Sequence, residues 1–481
     1  MAGTYARCAR CLVAIGAAVS LISIDGVPSH ASNAAGRTSP LFAPDEIVVG
    51  YRPGTDPSVR WLVRRQVRAS GYRATANLDV LELYPGTGVY EAMRRVPPHP
   101  HVRFAEPNYI VQLAAEPNDP MYQDAWSVGP SKPSGFRSGI DTPSVWNLTV
   151  GAEGVTVAVV DSGVHLGHPD LAPNMWNNPG ETGSGREANG VDDDENGFVD
   201  DWRGWDWTDQ DNEPIDLAGH GTMVAGTIGA QGDNGIGVSG VSWKSRLLSL
   251  RVLDEQGIGL SSDAAAAFTY AGEAGAQIVN ASLTADMPSM AMMDAISSAS
   301  ETLFIVAAGN NSTNNDTQPR YPCNLQLPNV LCVAATDEFN GLASFSNYGA
   351  VSVDLAAPGV RILTTHPDGY VEFHGSSAAT PHVSGVAALL WARHPEASVA
   401  TISQALINGV EQLPQLQGKT FAGGRLNAAG ALRQLGDTVP HDGGSPDEGK
   451  FESQKIKKKK KCRHRKKRDM NRHGRRRCRR R

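Results

Sequence analysis

Gly375-Ser376-Ser377-Ala378-Ala379-Thr380-Pro381-His382 puts a serine where a tight glycine and serine turn runs into a strongly helical stretch, Val383 to Arg393. A hydroxyl there gains from the unpaired backbone N–H groups and positive dipole end of a helix start, which stabilise negative charge beside its oxygen. By itself such a segment is an ordinary helix cap. Three segments upstream change that reading. Val157-Ala158-Val159-Val160-Asp161-Ser162-Gly163 is an apolar, β-branched run ending in a carboxylate and a glycine turn, the pattern of a buried strand that delivers Asp161 at its carboxyl end. Gly219-His220-Gly221-Thr222-Met223-Val224-Ala225-Gly226-Thr227 uses small residues to let a helix pack closely, with His220 at its start. Val306-Ala307-Ala308-Gly309-Asn310 is a second apolar strand, ending in an amide. Singly these are turn and packing residues. Jointly they supply an acid to orient a base, a base to deprotonate a hydroxyl, the hydroxyl, and a neutral donor for an oxyanion.

The order Asp161, His220, Asn310, Ser377 and the wording of the four segments resemble the subtilisin-like serine proteases, the subtilases. The words are Val-Val-Asp-Ser-Gly, His-Gly-Thr-x-Val-Ala-Gly, Ala-Ala-Gly-Asn and Gly-x-Ser-x-Ala-x-Pro-His, and the resemblance covers roughly Glu46 to Leu435. It implies a serine endopeptidase in which Asp161 orients His220, His220 activates Ser377, and Asn310 holds the oxyanion. It also implies a substrate strand lying along Gly257-Ile258-Gly259 and Ser282-Leu283-Thr284, with Ala308 and Gly309 flanking the oxyanion donor. Three positions depart from the common pattern. Met223 stands where a second histidine is frequent, Ala378 where methionine is, and Thr284 where the groove strand usually has glycine.

Strands and helices alternate from Pro117 to about Leu435, which predicts an α/β domain, three-layered, with a mostly parallel sheet and helices on both faces. Ahead of it, Ala43 to Leu113 mixes short β-like runs such as Glu46 to Tyr51 with helix-like stretches such as Ser58 to Ala69. In a subtilase this would be the small α+β inhibitory propeptide, cut off by the enzyme's own nucleophile. The expected domains are a signal peptide at 1–31, the propeptide at 42–116, the catalytic domain at 117–437, and a linker with a disordered polybasic tail at 438–481.

Asp192-Asp193-Asp194-Glu195-Asn196-Gly197-Phe198-Val199-Asp200-Asp201 spaces oxygen ligands at alternate positions with glycine sixth, the first half of an EF-hand-like calcium loop. Arg203 stands where the twelfth-position glutamate belongs, so Asp192, Asp194, Asn196 and Phe198 would need Asp200, Asp201 or another residue to complete the shell. The family resemblance implies a second calcium site at Asp170 and the loop Gly232 to Val238. Asn234 would give its side chain there, and Gly232, Ile236 and Val238 their carbonyls, with Asp119 reaching in.

Arg7 and Arg10 precede an apolar segment from Leu12 to Ile24 and a small-residue cleavage site at Ser29-His30-Ala31, the layout of a secretory signal. Secretion would leave Cys323, Cys332, Cys462 and Cys478, with a Cys323–Cys332 disulfide the natural pairing in an oxidising compartment. The net charge of −6 divides into +17 over Lys450 to Arg481 and −23 over the rest. The tail is a polycation with too little apolar content to fold, suited to a polyanion partner. Protein or peptide substrates and the chain's own propeptide are the other expected partners. A silent scaffold acting through its tail is the alternative function class, and the presence of all four catalytic residue types disfavours it.

Overall fold

The computed structural model describes residues 42–109, 116–132 and 137–439; the expected signal peptide and polybasic tail lie outside these residues. The chain divides into two compact units, Met1–Val111 and Gln112–Arg481.

The first unit is an antiparallel sheet of four strands, in the order Ala69–Ala74, Leu78–Leu83, Phe42–Tyr51, Val102–Tyr109, with helices Pro57–Val67 and Val89–Arg94. Alternation in Ile47, Val49 and Tyr51 and in Leu81 and Leu83 turns one face inward, where Val63, Val67, Val89 and Ala92 of the helices meet it. Asp79 is fully buried at the edge of this small core. It is held by both forks of Arg64, at 2.9 Å each, and by the Tyr51 hydroxyl at 3.1 Å. A buried carboxylate needs such partners to remain charged.

The second unit is built on a nine-stranded sheet. From one edge the strands run Glu411–Gln412, Gly424–Arg425, Leu355–Pro358, Val330–Thr336, Leu303–Ala307, Ile278–Ala281, Thr156–Asp161, Arg246–Arg251 and Gly204–Asp206. Only the first pair is antiparallel. The apolar strands are buried on both faces, and successive residues feed different cores. Val157, Val159, Leu303, Ile305, Leu331 and Val333 join a core with the helices His220–Gly229, Ser376–Arg393, Val399–Asn408 and Ala428–Gln434. Ala158, Val160, Phe304, Val306, Cys332 and Ala334 face the helices Ser261–Glu273 and Met290–Ser298. The result is the expected three-layer α/β arrangement. Cys323 and Cys332 form the expected disulfide. Among the described residues no helix is long and apolar enough to cross a membrane.

Candidate active site

Asp161 ends a central parallel strand and is fully buried, and His220 opens the helix that packs against that strand. His220 Nδ1 lies 2.7 Å from Asp161 Oδ1, which also accepts the Ser162 N–H at 2.8 Å. A carboxylate at Nδ1 fixes the proton there and leaves Nε2 as the bare, basic nitrogen. Enclosure pulls the imidazolium pKa down, but the Asp161 charge and hydrogen bond, with Asp216 behind them, outweigh it and hold the ring above the ordinary histidine range.

Asp216 is a residue that motif reading missed. Its Oδ1 accepts from Ser162 Oγ and from the N–H groups of Ala218 and Gly219, and its Oδ2 accepts from the Thr222 N–H and hydroxyl. It thereby caps the His220 helix and ties it to the turn after Asp161. A carboxylate shortly ahead of a glycine-rich helix start was the available signal.

Ser377 lies in the first turn of the Ser376–Arg393 helix, where backbone N–H groups have no intrahelical acceptor. Gly375 before it has φ 136°, a conformation that side chains rarely tolerate. Asn310 Oδ1 accepts the Ser376 N–H at 2.8 Å, so its Nδ2 is the end left to donate beside Ser377. Ser376 Oγ accepts the Gly309 N–H at 3.1 Å, a second tie between the Asn310 segment and the nucleophile turn.

Pro381 explains a further contact. It stands four residues after Ser377 and has no N–H to give to the Ser377 carbonyl, which would otherwise be occupied by the helix ladder. That carbonyl instead accepts the Ser282 hydroxyl at 3.1 Å. Ser282 Oγ in turn accepts Asn280 Nδ2 at 3.0 Å, and Asn280 Oδ1 accepts the Ser384 hydroxyl at 2.8 Å. A buried relay of Ser384, Asn280 and Ser282 therefore joins the groove strand to the nucleophile helix. The Ser377 hydroxyl donates to Ser282 O at 3.2 Å, and no hydrogen bond joins it to His220 among the described residues. His382 is fully buried, donating from Nδ1 to Ala378 O at 2.9 Å, and burial pushes its pKa down to about 4, so it stays neutral.

The groove residues Gly257, Ile258, Gly259, Ser282, Leu283 and Thr284 line one cleft of about 700 Å3 together with His220. Leu253, Leu260, Ala264 and Met292 give it apolar lining beside Glu255 and Gln256, and Met223 is part of its wall. Ala308 and Gly309 do not line it; both are buried.

The calcium residues sort into two groups. Asp192 and Asp194 come together with Glu181, with one carboxylate oxygen of each within 4.8 Å of the others. Glu181 was not foreseen; it supplies the carboxylate that Arg203 denies to the loop. It is fully buried, and while its Oε1 accepts the N–H groups of Asp193 and Asp194, its Oε2 has no partner. An orphaned buried carboxylate oxygen beside two more carboxylates fits a divalent cation. Within the loop Asp192 accepts the N–H groups of Asn196 and Gly197, and Asp194 that of Asn196. Asp200 takes the N–H groups of Asn189 and Gly190, and Asp201 takes Asn178, Asn196 and Tyr270. Asn196 Oδ1 accepts the Phe198 N–H, and the Phe198 ring packs against Trp205, Trp207 and Tyr270.

At the second site Asp170 and the 232–238 loop do meet. Asp170 accepts Asn234 Nδ2 at 2.6 Å, the Val238 N–H at 3.0 Å and the Tyr370 hydroxyl at 3.1 Å. Asn234 Oδ1 is taken by the Ile236 N–H. Asp119 gives Oδ2 to the Asp233 N–H, and its Oδ1 is buried without a partner. Here the donors already satisfy Asp170, and the orphaned Asp119 oxygen is the feature that fits a cation.

The profile of the subtilase family matches residues 152–433, a stretch that contains Asp161, His220, Asn310 and Ser377. The chain is a member of the subtilase family. This subtilase is 31% identical over 398 residues to the thermophilic serine proteinase of Bacillus sp. (strain AK1), taking in 81% of its own length and 88% of that protein. It is 35% identical over 319 residues to thermitase of Thermoactinomyces vulgaris, covering 66% of this chain and 99% of that one. Among solved structures, a protease of Pseudoalteromonas arctica superposes with a TM-score of 0.54 at 28% identity, over 66% of this chain and 98% of that one. The subtilase is thus a subtilisin-like serine endopeptidase, a hydrolase of peptide bonds.

Proposed function

We propose that this subtilase cleaves peptide bonds through Asp161, His220 and Ser377 with Asn310 as oxyanion donor, and that it is made as a secreted, self-processed zymogen. The observation that carries the reading is His220 held at 2.7 Å by a buried Asp161, at the start of a helix packed beside the one that carries Ser377. Ser377 Oγ attacks the substrate carbonyl as its proton passes to His220 Nε2. Asp161 keeps the imidazole in the required tautomer and stabilises the imidazolium. Asn310 Nδ2 and the Ser377 N–H receive the charge that forms on the carbonyl oxygen. His220 then protonates the leaving amine, and water repeats the sequence on the acyl-enzyme. The substrate adds as a strand along Gly257 to Gly259 and Ser282 to Thr284, and the apolar cleft takes one of its side chains.

The separate compact unit that ends at Val111 supports a propeptide over residues 42–116, with the catalytic domain at 117–437. The sequence layout of residues 1–31 supports export, and the basic run after Gly449 supports retention on a polyanion. The Glu181, Asp192 and Asp194 carboxylates would hold a structural calcium ion, which adds stability in proportion to occupancy and slows self-digestion. Expression of the full chain and of Ser377→Ala tests the reading. The native enzyme should react with a serine-directed fluorophosphonate and lose residues 42–116. The alanine variant should stay unlabelled and full-length, and its normal maturation in purified form would refute self-processing.

A further inference from the structure

We infer that Arg320 makes this subtilase select an acidic residue immediately before the cut, an inference that rests on the proposed catalytic reading. The attacked carbonyl must lie between Ser377 Oγ and Asn310 Nδ2, with the substrate strand running beside Ser282 to Thr284. The side chain of the residue carrying that carbonyl then enters the gap between two walls, the segment from Ser282 to Asp286 and the segment ending in Gly309 and Asn310.

Arg320 crosses that gap. Tyr321 pairs with Ala285 through hydrogen bonds of 2.7 and 2.9 Å in both directions, which brings residue 320 to the base of the first wall. From there the side chain passes over the second wall, its Cγ lying 3.7 Å from the point where a Gly309 Cβ would stand. The guanidinium then reaches Asp286 Oδ1 at 2.9 Å. A cation has therefore been placed where the substrate's side chain must go. The Arg320 side chain is 19% exposed whereas that of Asp286 is 82% exposed, so the cation is sheltered and its present partner is not. An ion pair with so exposed a carboxylate contributes little and is readily exchanged. A substrate carboxylate entering the gap meets the guanidinium in a drier setting, where its planar fork can give two parallel hydrogen bonds. Outside its tail the protein carries −23, which repels acidic substrates in general, so the preference must arise from this local cation.

The test is a set of peptides identical except for the residue before the scissile bond, which is Glu, Asp, Gln, Ala, Phe or Lys, assayed with the mature enzyme. A charge-assisted hydrogen bond predicts kcat/KM for Glu about 10- to 100-fold above Gln, with Lys poorest. Arg320→Gln should close the gap between Glu and Gln, Arg320→Glu should invert it in favour of Lys, and Asp286→Asn should widen it by removing the competing carboxylate. The melting temperature and fluorophosphonate labelling of Ser377 report whether each variant is folded. Equal rates for Glu and Gln in the native enzyme would overturn the inference. So would best cleavage after Ala, the result expected if Arg320 merely plugs the gap, or a Glu preference that survives Arg320→Gln. If no peptide is cleaved and Ser377 is unlabelled, the catalytic reading itself fails and this inference with it.

Discussion

Replacing Asn310 with alanine removes one donor and leaves the rest of the site standing, so its effect can be worked out. Because Asn310 Oδ1 holds the Ser376 N–H at 2.8 Å, only Nδ2 can serve the attacked carbonyl oxygen, and it matters most once that oxygen is charged. A hydrogen bond to a charged group contributes about 1.5–3 kcal/mol, roughly 10- to 150-fold in rate. The loss measured for the corresponding donor in subtilisin itself is larger, about 10²–10³ in turnover. In this chain kcat should fall about 10²-fold while KM stays within about threefold. The alanine also strands the Ser376 N–H at a helix start, which should cost about 1 kcal/mol and only a few degrees in melting temperature. Asn310→Asp sharpens the test, because it keeps the acceptor for Ser376 but turns a negative oxygen towards the forming oxyanion. It should be slower than the alanine variant. The assay is steady-state hydrolysis of one peptide by the three mature enzymes, with thermal melts alongside. A rise in KM at unchanged kcat, or an aspartate variant as fast as the native enzyme, would refute the assignment.

His220 acts as a base only when neutral and its pKa is held above the ordinary 6.5, so activity should climb with pH through a midpoint above that value. Asp161→Asn, by removing the charge that raises it, should move the midpoint down and lower the plateau; a pH–rate profile with no shift would count against the pair. In a Ser377→Ala background, calcium at a hundredfold excess over its dissociation constant should stabilise the protein by about 2.7 kcal/mol. Glu181→Gln should remove much of that gain in melting temperature, and an unchanged calcium response would show that Glu181 is no ligand. Truncation after Gly449 should abolish retention on heparin, which salt releases because such contacts are screened over about 8–10 Å. Its turnover of a small neutral peptide should be unchanged, and a large loss there would mean that the tail belongs to the catalytic structure.

The elements that carry Asp161, Asn310, His220 and Ser377 were legible in the sequence for a local reason. Each of these residues sits where an apolar strand ends or a helix begins, so the residues around it announce both the element and the exposed tip. The central strands were legible too, since burial on both faces demands unbroken apolar runs such as Val157 to Val160. What escaped depends on partners distant along the chain. Glu181 lies in an irregular loop and acquires meaning only where folding sets it against Asp192 and Asp194. Asp200, a ligand candidate by spacing, accepts the N–H groups of Asn189 and Gly190, which the spacing does not announce. Arg320 is an unremarked basic residue until the pairing of Tyr321 with Ala285 brings it beside Gly309. Edge strands as short as Glu411–Gln412 leave no periodic trace at all.

The proline of the nucleophile helix has one more implication. Since Pro381 leaves the Ser377 carbonyl to Ser282, the segment proposed to pair with the incoming peptide and the turn proposed to carry the attacking oxygen are hydrogen-bonded to each other. On the proposed reading, a shift of the groove segment would be passed to the nucleophile turn through this bond. An enzyme built this way would hold the distance from groove to attacking oxygen steady whichever residue precedes the cut.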